Sequence, residues 1–248
     1  MDWHGRRYWL VGASEGLGRA LARALSARGA ELVISARNEN ALQDLAAGLP
    51  GPVQVVAMDV GNGASVRAAA AQVGVPDGVI WLAGVYWPMR SQDWNPDQAE
   101  AMADVNFTGC LRVLGQVVPG MVARGSGHVV ITGSLAGFRG LPGAVGYGAS
   151  KAACMSLAET LALDLRGTGV KVQLANPGYI RTRLTAKNGF AMPQIMEPEV
   201  AADHMLRLME SGRFASSFPT PFQWLFRLAK LLPDALYFRL FAPRSGKG

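Results

Sequence analysis

The chain has little of what most often carries chemistry by itself. Only two cysteines, Cys110 and Cys154, occur in 248 residues. They form no C-x-x-C pair, which argues against a disulfide framework and a thiolate metal site. The three histidines, His4, His128 and His204, lie far apart and share no ligand spacing, so no metal is expected. No apolar run reaches the ~18 residues that cross a bilayer. Arg6-Arg7 leads straight into a short strand-like segment without the apolar core of an export signal, so a reducing cytoplasm is the expected setting. Repeats, low-complexity tracts and linkers are missing too. The net charge of +6 is unevenly placed, because residues 211–248 carry Arg213, Arg227, Lys230, Arg239, Arg244 and Lys247 against Asp234 alone. A nearly neutral body gives nucleic-acid binding little support.

What is present is apolar residues, at 50%, and 30 glycines, a length and composition that suit an α/β domain with a sizeable core. Tyr8-Trp9-Leu10-Val11 reads as a buried strand. It runs into Gly12-Ala13-Ser14-Glu15-Gly16-Leu17-Gly18, then into a helix with Leu17, Leu21, Ala24 and Leu25 on one face. Strand, glycine turn and helix form a dinucleotide-site pattern, in which backbone and helix N–H groups approach a pyrophosphate. The spacing here is G-x-x-x-G-x-G, and a plain glycine-rich turn is the alternative. A second strand over 31–35 ends in Ala36-Arg37-Asn38. An acid there would bind a ribose 2′-hydroxyl, whereas Arg37 accommodates a 2′-phosphate, which favours NADP(H) over NAD(H). Glu15 points the other way, since a basic residue in the turn would strengthen a phosphate site.

Further on, a helix over 39–47, a strand over 53–58 ending at Asp59-Val60, a helix, and a strand over 78–82 ending at Ala83-Gly84 follow. This alternation predicts right-handed βαβ units and a parallel sheet. The aromatic stretch 85–95 lines a pocket mouth or packs on the next helix. Pro96 opens a long helix through Met121, carrying Asn106, which needs partners if buried. A strand over 127–132 delivers Gly133-Ser134 at the sheet edge where ligands bind. Tyr147 and Lys151 follow, four apart at the start of a helix running to about Arg166. They share one helical face. A phenol holds its proton to about pH 10, and a fixed ammonium one turn away stabilises the phenolate. A strand over 170–175, a long connection to Met196 and a helix over 198–210 complete the body.

Together these residues resemble the short-chain dehydrogenase/reductase family over about 7–218. The turn Gly12-x-x-x-Gly16-x-Gly18, with Ser14 and Leu17 inside it, matches, as do Asp59-Val60 and Ala83-Gly84. Asn106, Ser134, Tyr147 and Lys151 match the family's catalytic tetrad in order. Pro177, Gly178, Ile180 and Thr182 match the segment that holds the nicotinamide carboxamide. Two positions depart: Val11 stands where threonine is usual, and Leu82 where asparagine is usual. The resemblance implies a doubly wound Rossmann domain and a homodimer or homotetramer. It also implies NADP(H)-dependent hydride transfer between nicotinamide and a small-molecule carbonyl or alcohol. Ser134 would bind the substrate oxygen and Tyr147 would be the general acid/base. Lys151 would hold the nicotinamide ribose, and Asn106 would retain a water of a proton relay. An NADP(H)-binding sensor or scaffold without turnover is the second reading. The complete Ser–Tyr–Lys set argues against it, because a pure binder has no need of all three.

Residues 219–248 form a basic C-terminal extension beyond the domain at 1–218. Gln223, Arg227, Lys230 and Asp234 make a narrow polar stripe among Phe222, Trp224, Leu225, Phe226, Leu228, Leu231 and Leu232. Apolar character continues through Leu236, Tyr237, Phe238, Leu240 and Phe241. Such breadth fits burial against protein, or residence of 219–241 in a membrane interface with the protein peripheral to it. The apolar tail and aromatic stretch favour a lipophilic ketone or 3-oxo lipid over a sugar.

Overall fold

The structure is a computed structural model and describes residues 2–242. Strand-forming segments such as Arg7–Val11 and Gly78–Trp81 carry unbroken apolar runs instead of alternating ones, the pattern of strands covered on both faces. They are β1 (Arg7–Val11), β2 (Glu31–Ser35), β3 (Val53–Val55), β4 (Gly78–Trp81), β5 (Gly127–Thr132), β6 (Val170–Pro177) and β7 (Ala215–Phe218). All pair in parallel, in the order β3-β2-β1-β4-β5-β6-β7. The order reverses direction between β1 and β4, where an open α/β sheet leaves a crevice at its carboxyl edge.

Helices cover both faces. Tyr8, Leu10, Leu32 and Ile34 point into one layer, against α1 (Gly16–Ser26), α2 (Glu39–Ala47) and α7 (Pro198–Glu210). Trp9, Val11, Val33 and Trp81 point into the other, against α3 (Gly63–Val73), α5 (Gly109–Arg124) and α6 (Val145–Asp164). This split is the period-2 alternation of strand side chains. Asparagines start three helices: Asn38, Asn62 and Asn95 each accept from a backbone N–H of the first turn.

The long helix expected from Pro96 is present but not uniform. α4 (Pro96–Ala103) passes through a π turn over Asp104–Thr108 into α5. Asn106 lies in that turn and is fully buried. Its carbonyl accepts from Trp81 Nε1 at 3.2 Å and from the Cys154 thiol at 3.2 Å. A π turn releases a carbonyl from the helical ladder in this way. β3 stops at Val55, short of the expected Met58, although the chain beyond it stays bonded alongside β2, through Val56 N–H to Ile34 O and Met58 N–H to Ala36 O. β7, Ala215-Ser216-Ser217-Phe218, was not expected at all. It is an edge strand paired with β6 alone, and its two serines break any apolar run.

One buried polar chain crosses the sheet. Tyr8 Oη lies 2.8 Å from His128 Nδ1, and His128 Nε2 lies 2.8 Å from Gln173 Oε1. The Gln173 amide nitrogen donates to the carbonyls of Leu208 and Arg213. Its oxygen is therefore the acceptor, His128 carries its proton on Nε2, and Tyr8 donates to Nδ1. Burial pushes the His128 pKa down from 6.5 to about 4. The unfolded chain thus binds the extra proton first as pH falls. The stability contributed is complete above pH 6.5 and is lost between there and about 4, in all about 3 kcal/mol. His128→Leu should be less stable at pH 7, because it strands the Tyr8 hydroxyl and the Gln173 oxygen. Urea unfolding from pH 7 to 4.5 should show the gap between the two proteins narrowing; a constant gap would exclude this origin of acid sensitivity.

Candidate active site

At the carboxyl edge, β1 hands over to the glycine turn. Gly12 and Gly16 have φ of +99° and +50°, a region that disfavours side chains. A Cβ on Gly12 would lie 2.5 Å from the Ala83 nitrogen, and one on Gly18 would overlap the Gly12 carbonyl oxygen. The turn, the strand end at Ala83 and the start of α1 are thus packed backbone to backbone. No side chain caps the start of α1, so its first N–H groups remain for a ligand. Where Val11 and Leu82 replace polar residues, the tie is made by backbone alone, Leu82 N–H to Val11 O at 2.9 Å. The Glu15 carboxylate is taken up by Arg183 at 2.9 Å, which ties the turn to the segment after β6.

Ser14, Gly16, Leu17, Gly18, Arg37, Asp59, Val60, Ala83, Gly84, Pro177, Gly178, Ile180 and Thr182 all line one cleft of about 1180 Å³, together with Ser134, Tyr147 and Lys151. At the β2 end, Arg37 is exposed and the Asn38 side chain caps α2 by accepting from Ala41 N–H. No carboxylate stands among residues 35–38. Asp59 is fixed by accepting the Gly61 N–H at 2.9 Å.

Ser134 lies two residues beyond β5 and is buried; its Oγ accepts the Ala136 N–H at 3.1 Å, which leaves its own proton to donate. Tyr147 sits in the first turn of α6. Lys151, one turn on, is only 4% exposed. Its ammonium donates to the Thr132 carbonyl at 3.0 Å and stands 5.9 Å from the centre of the Tyr147 ring. Two of its three donors remain for the cleft. Asn106 does not line the cleft. Its side chain accepts the Val85 N–H at 2.7 Å and donates to the Val85 carbonyl and to Ser150 Oγ, both at 3.0 Å. Ser150 donates in turn to the Tyr147 carbonyl at 2.9 Å. The Asn106 side chain therefore braces the strand exit at 84–85 against the first turn of α6.

Side chains distant in sequence complete the site. Tyr86 sets its ring edge-on to Tyr147, with centroids 4.9 Å apart. Its hydroxyl donates to Asn188 at 2.9 Å and its carbonyl accepts from Lys187 at 2.8 Å. These bonds join the aromatic stretch to the long connection after β6. Desolvation pushes the Tyr86 pKa up to about 12, so its hydroxyl stays protonated. The stretch 85–95 is thus divided: Val85, Tyr86, Pro88 and Met89 line the cleft, whereas Trp94 is exposed. Tyr179 packs on Phe190 and on Phe222, which packs on Phe226. The last two belong to α8 (Phe222–Ala229) of the C-terminal extension, followed by α9 (Asp234–Phe241). Arg139, in the loop after Ser134, holds both helices. It donates to the carbonyls of Ala229 and Leu232 at 2.9 and 2.7 Å, pairs with Asp234 and lies 3.9 Å over the Tyr237 ring.

The cleft's chemistry fits a nicotinamide dinucleotide: a glycine cradle that no Cβ can share, open N–H groups at α1, and a buried ammonium with free donors. Comparisons with known proteins agree. The short chain dehydrogenase family profile matches residues 8–191. An uncharacterized oxidoreductase of Myxococcus xanthus (strain DK1622) is 39% identical over 237 residues, 92% of this chain and 93% of the relative. Among solved structures, a short chain dehydrogenase from Burkholderia cenocepacia J2315 in complex with NADP has a TM-score of 0.87 at 26% identity, covering 98% of this chain and 100% of that one. A short-chain dehydrogenase from Sphingobium yanoikuyae in complex with NADPH has a TM-score of 0.83 at 25% identity, covering 98% of each chain. A likeness this extensive in both sequence and fold leads to one assignment: the protein is an oxidoreductase of the short-chain dehydrogenase/reductase family.

Proposed function

We propose that the protein interconverts a lipophilic carbonyl compound and its alcohol with NADP(H), and that a ketone or 3-oxo lipid suits it better than a sugar. The observation that carries this is one cleft that holds Ser134, Tyr147 and Lys151 together with Met89, Leu141, Tyr179, Phe190, Phe222 and Phe226. The polar reacting groups share the cleft with these six apolar or aromatic side chains, as a greasy substrate with one oxygen requires.

When bound, the cofactor supplies or accepts the hydride. The chain's residues do the rest. Gly12, Ser14, Gly16, Leu17 and Gly18 would hold the pyrophosphate, Arg37 the 2′-phosphate, and Asp59 and Val60 the adenine end. Ala83 and Gly84 would flank the ribose whose hydroxyls Lys151 binds, and Pro177, Gly178, Ile180 and Thr182 would hold the carboxamide. Ser134 donates its free proton to the substrate oxygen, where negative charge grows during reduction. Tyr147 delivers its phenolic proton to that oxygen, and takes one back in oxidation. Lys151 places a positive charge beside the phenolate that remains. Asn106 is a positioning residue that fixes the Tyr147 backbone through Ser150. The solved relatives in complex with NADP and NADPH support the cofactor half of the reading.

The test is a panel of ketones and alcohols of increasing chain length, assayed with NADPH and with NADH. Turnover should favour NADPH and the longer substrates. Arg37→Ala should lower kcat/KM for NADPH about tenfold, the worth of one exposed contact to a charged group, and leave NADH almost unchanged. Equal use of both cofactors by the unaltered protein would remove the NADP(H) preference. Tight NADPH binding with no turnover anywhere in the panel would favour a sensor.

A further inference from the structure

The C-terminal helices have two apolar faces. Phe226, Ala229 and Tyr237 are buried against the body. On the other side Trp224, Leu228 and Leu231, at spacings of four and three, share one face of α8 and its extension, and Leu231 is 79% exposed. Leu236 and Leu240 repeat this on α9, four apart and both exposed, with Phe238 63% exposed nearby. Each outer apolar face has a cationic margin: Arg227 and Lys230 on α8, Arg239 on α9. Arg227 stacks over Trp224, 4.9 Å from the ring. The only acid in residues 219–248 is Asp234, and it is paired with Arg139.

We propose that this outer face docks on an anionic lipid bilayer. Exposed Trp and Leu flanked by cations fit the boundary between acyl chains and negative headgroups. No helix of the described residues is long and apolar enough to cross a membrane, so the contact is along the surface. A second copy of the chain fits less well. A two-fold interface sets a patch against itself, and this patch would oppose cation to cation with no free acid. The geometry also gives docking a use. The inner residues Phe222 and Phe226 of α8 line the cleft, so the same short helix would face the bilayer outward and the substrate site inward. Docking itself does not depend on turnover.

The experiment is co-sedimentation of the full chain with phosphatidylcholine vesicles, with and without phosphatidylglycerol. The protein should bind the phosphatidylglycerol vesicles far more tightly. Arg227→Gln with Lys230→Gln should weaken that binding roughly 25-fold, from roughly fivefold per cation at an anionic surface. Leu228→Ser with Leu231→Ser should weaken it at least as much, and NADPH affinity should stay the same in both variants because none of the four residues lines the cleft. The proposal is overturned by an absence of binding to phosphatidylglycerol vesicles, or by binding that ignores both pairs of substitutions. It is also overturned if sedimentation velocity shows an oligomer that Leu228→Ser with Leu231→Ser dissociates. Each of these leaves the catalytic reading standing.

Discussion

Tyr147→Phe should bind NADPH within about twofold of the unaltered protein and lose at least ~10³-fold in kcat. A positioned general acid contributes typically 10²–10⁴-fold, and here the phenol is the proposed direct proton source at the substrate oxygen. The substitution removes one oxygen and little else. A phenylalanine ring keeps the edge-on contact with Tyr86, and the backbone carbonyl keeps its bond from Ser150. The ammonium of Lys151 stays anchored on Thr132. Binding and chemistry therefore separate, which they would not do if Tyr147 only shaped the cleft. The measurements are a fluorescence titration with NADPH and steady-state rates with the best substrate of the panel. Tyr86→Phe is the control: it loses the bond to Asn188 but leaves the proton donor in place, so kcat should fall less than ~10-fold. Turnover by Tyr147→Phe above a tenth of the original would end the assignment of Tyr147 as the acid.

Much of the fold could be read from the sequence because its signals are local. β1, β2, β4 and β5 each carry a short apolar run, and Asn38 and Asn95-Pro96 mark helix starts within a few residues. β7 gave no such signal. Its serines sit at an edge where pairing with β6, and not apolar content, holds the strand. The π turn was equally hidden, since Val105-Asn106-Phe107 continues a helical pattern and only the tertiary partners Trp81 and Cys154 draw the Asn106 carbonyl out of the ladder. The same division runs through the site. The glycine turn and the Tyr147–Lys151 spacing are properties of seven and five consecutive residues. Tyr86 with Asn188, Tyr179 with Phe222, and Arg139 with Asp234 are contacts across 102, 43 and 95 positions, formed when loops converge on the sheet edge. No spacing rule encodes them. The tail shows how the two kinds of information combine: the stripe of Arg227 and Lys230 is visible in the sequence, but which apolar residues face the body follows from contacts with distant residues such as Arg139 and Tyr179.

Gly18→Ala should cost roughly 3–5 kcal/mol of stability and abolish measurable NADPH binding. Gly18 is a helical residue with room for no Cβ. The added carbon would overlap the Gly12 carbonyl oxygen and also sit 2.9 Å from the Ala13 Cα, both backbone atoms. A flexible side chain could swing aside; these cannot, because Gly12 is itself pressed against Ala83 and bonded to the Ser35 carbonyl at 2.7 Å. Relief requires α1 to shift from β1, which reopens packing at the buried Leu21 and Leu25 and moves the free N–H groups away from the pyrophosphate. Overpacking confined by backbone is among the few mechanisms that reach such values. In thermal unfolding the loss corresponds to about 10 °C in Tm. Gly115→Ala separates this from a general effect of glycine replacement. Gly115 lies within α5, exposed and with nothing within 4 Å of its Cβ position. There the methyl removes only chain entropy from the unfolded state and should add about 0.5–1 kcal/mol. A Gly18→Ala protein that melts with the original and binds NADPH normally would show that the turn and helix are not locked together as described.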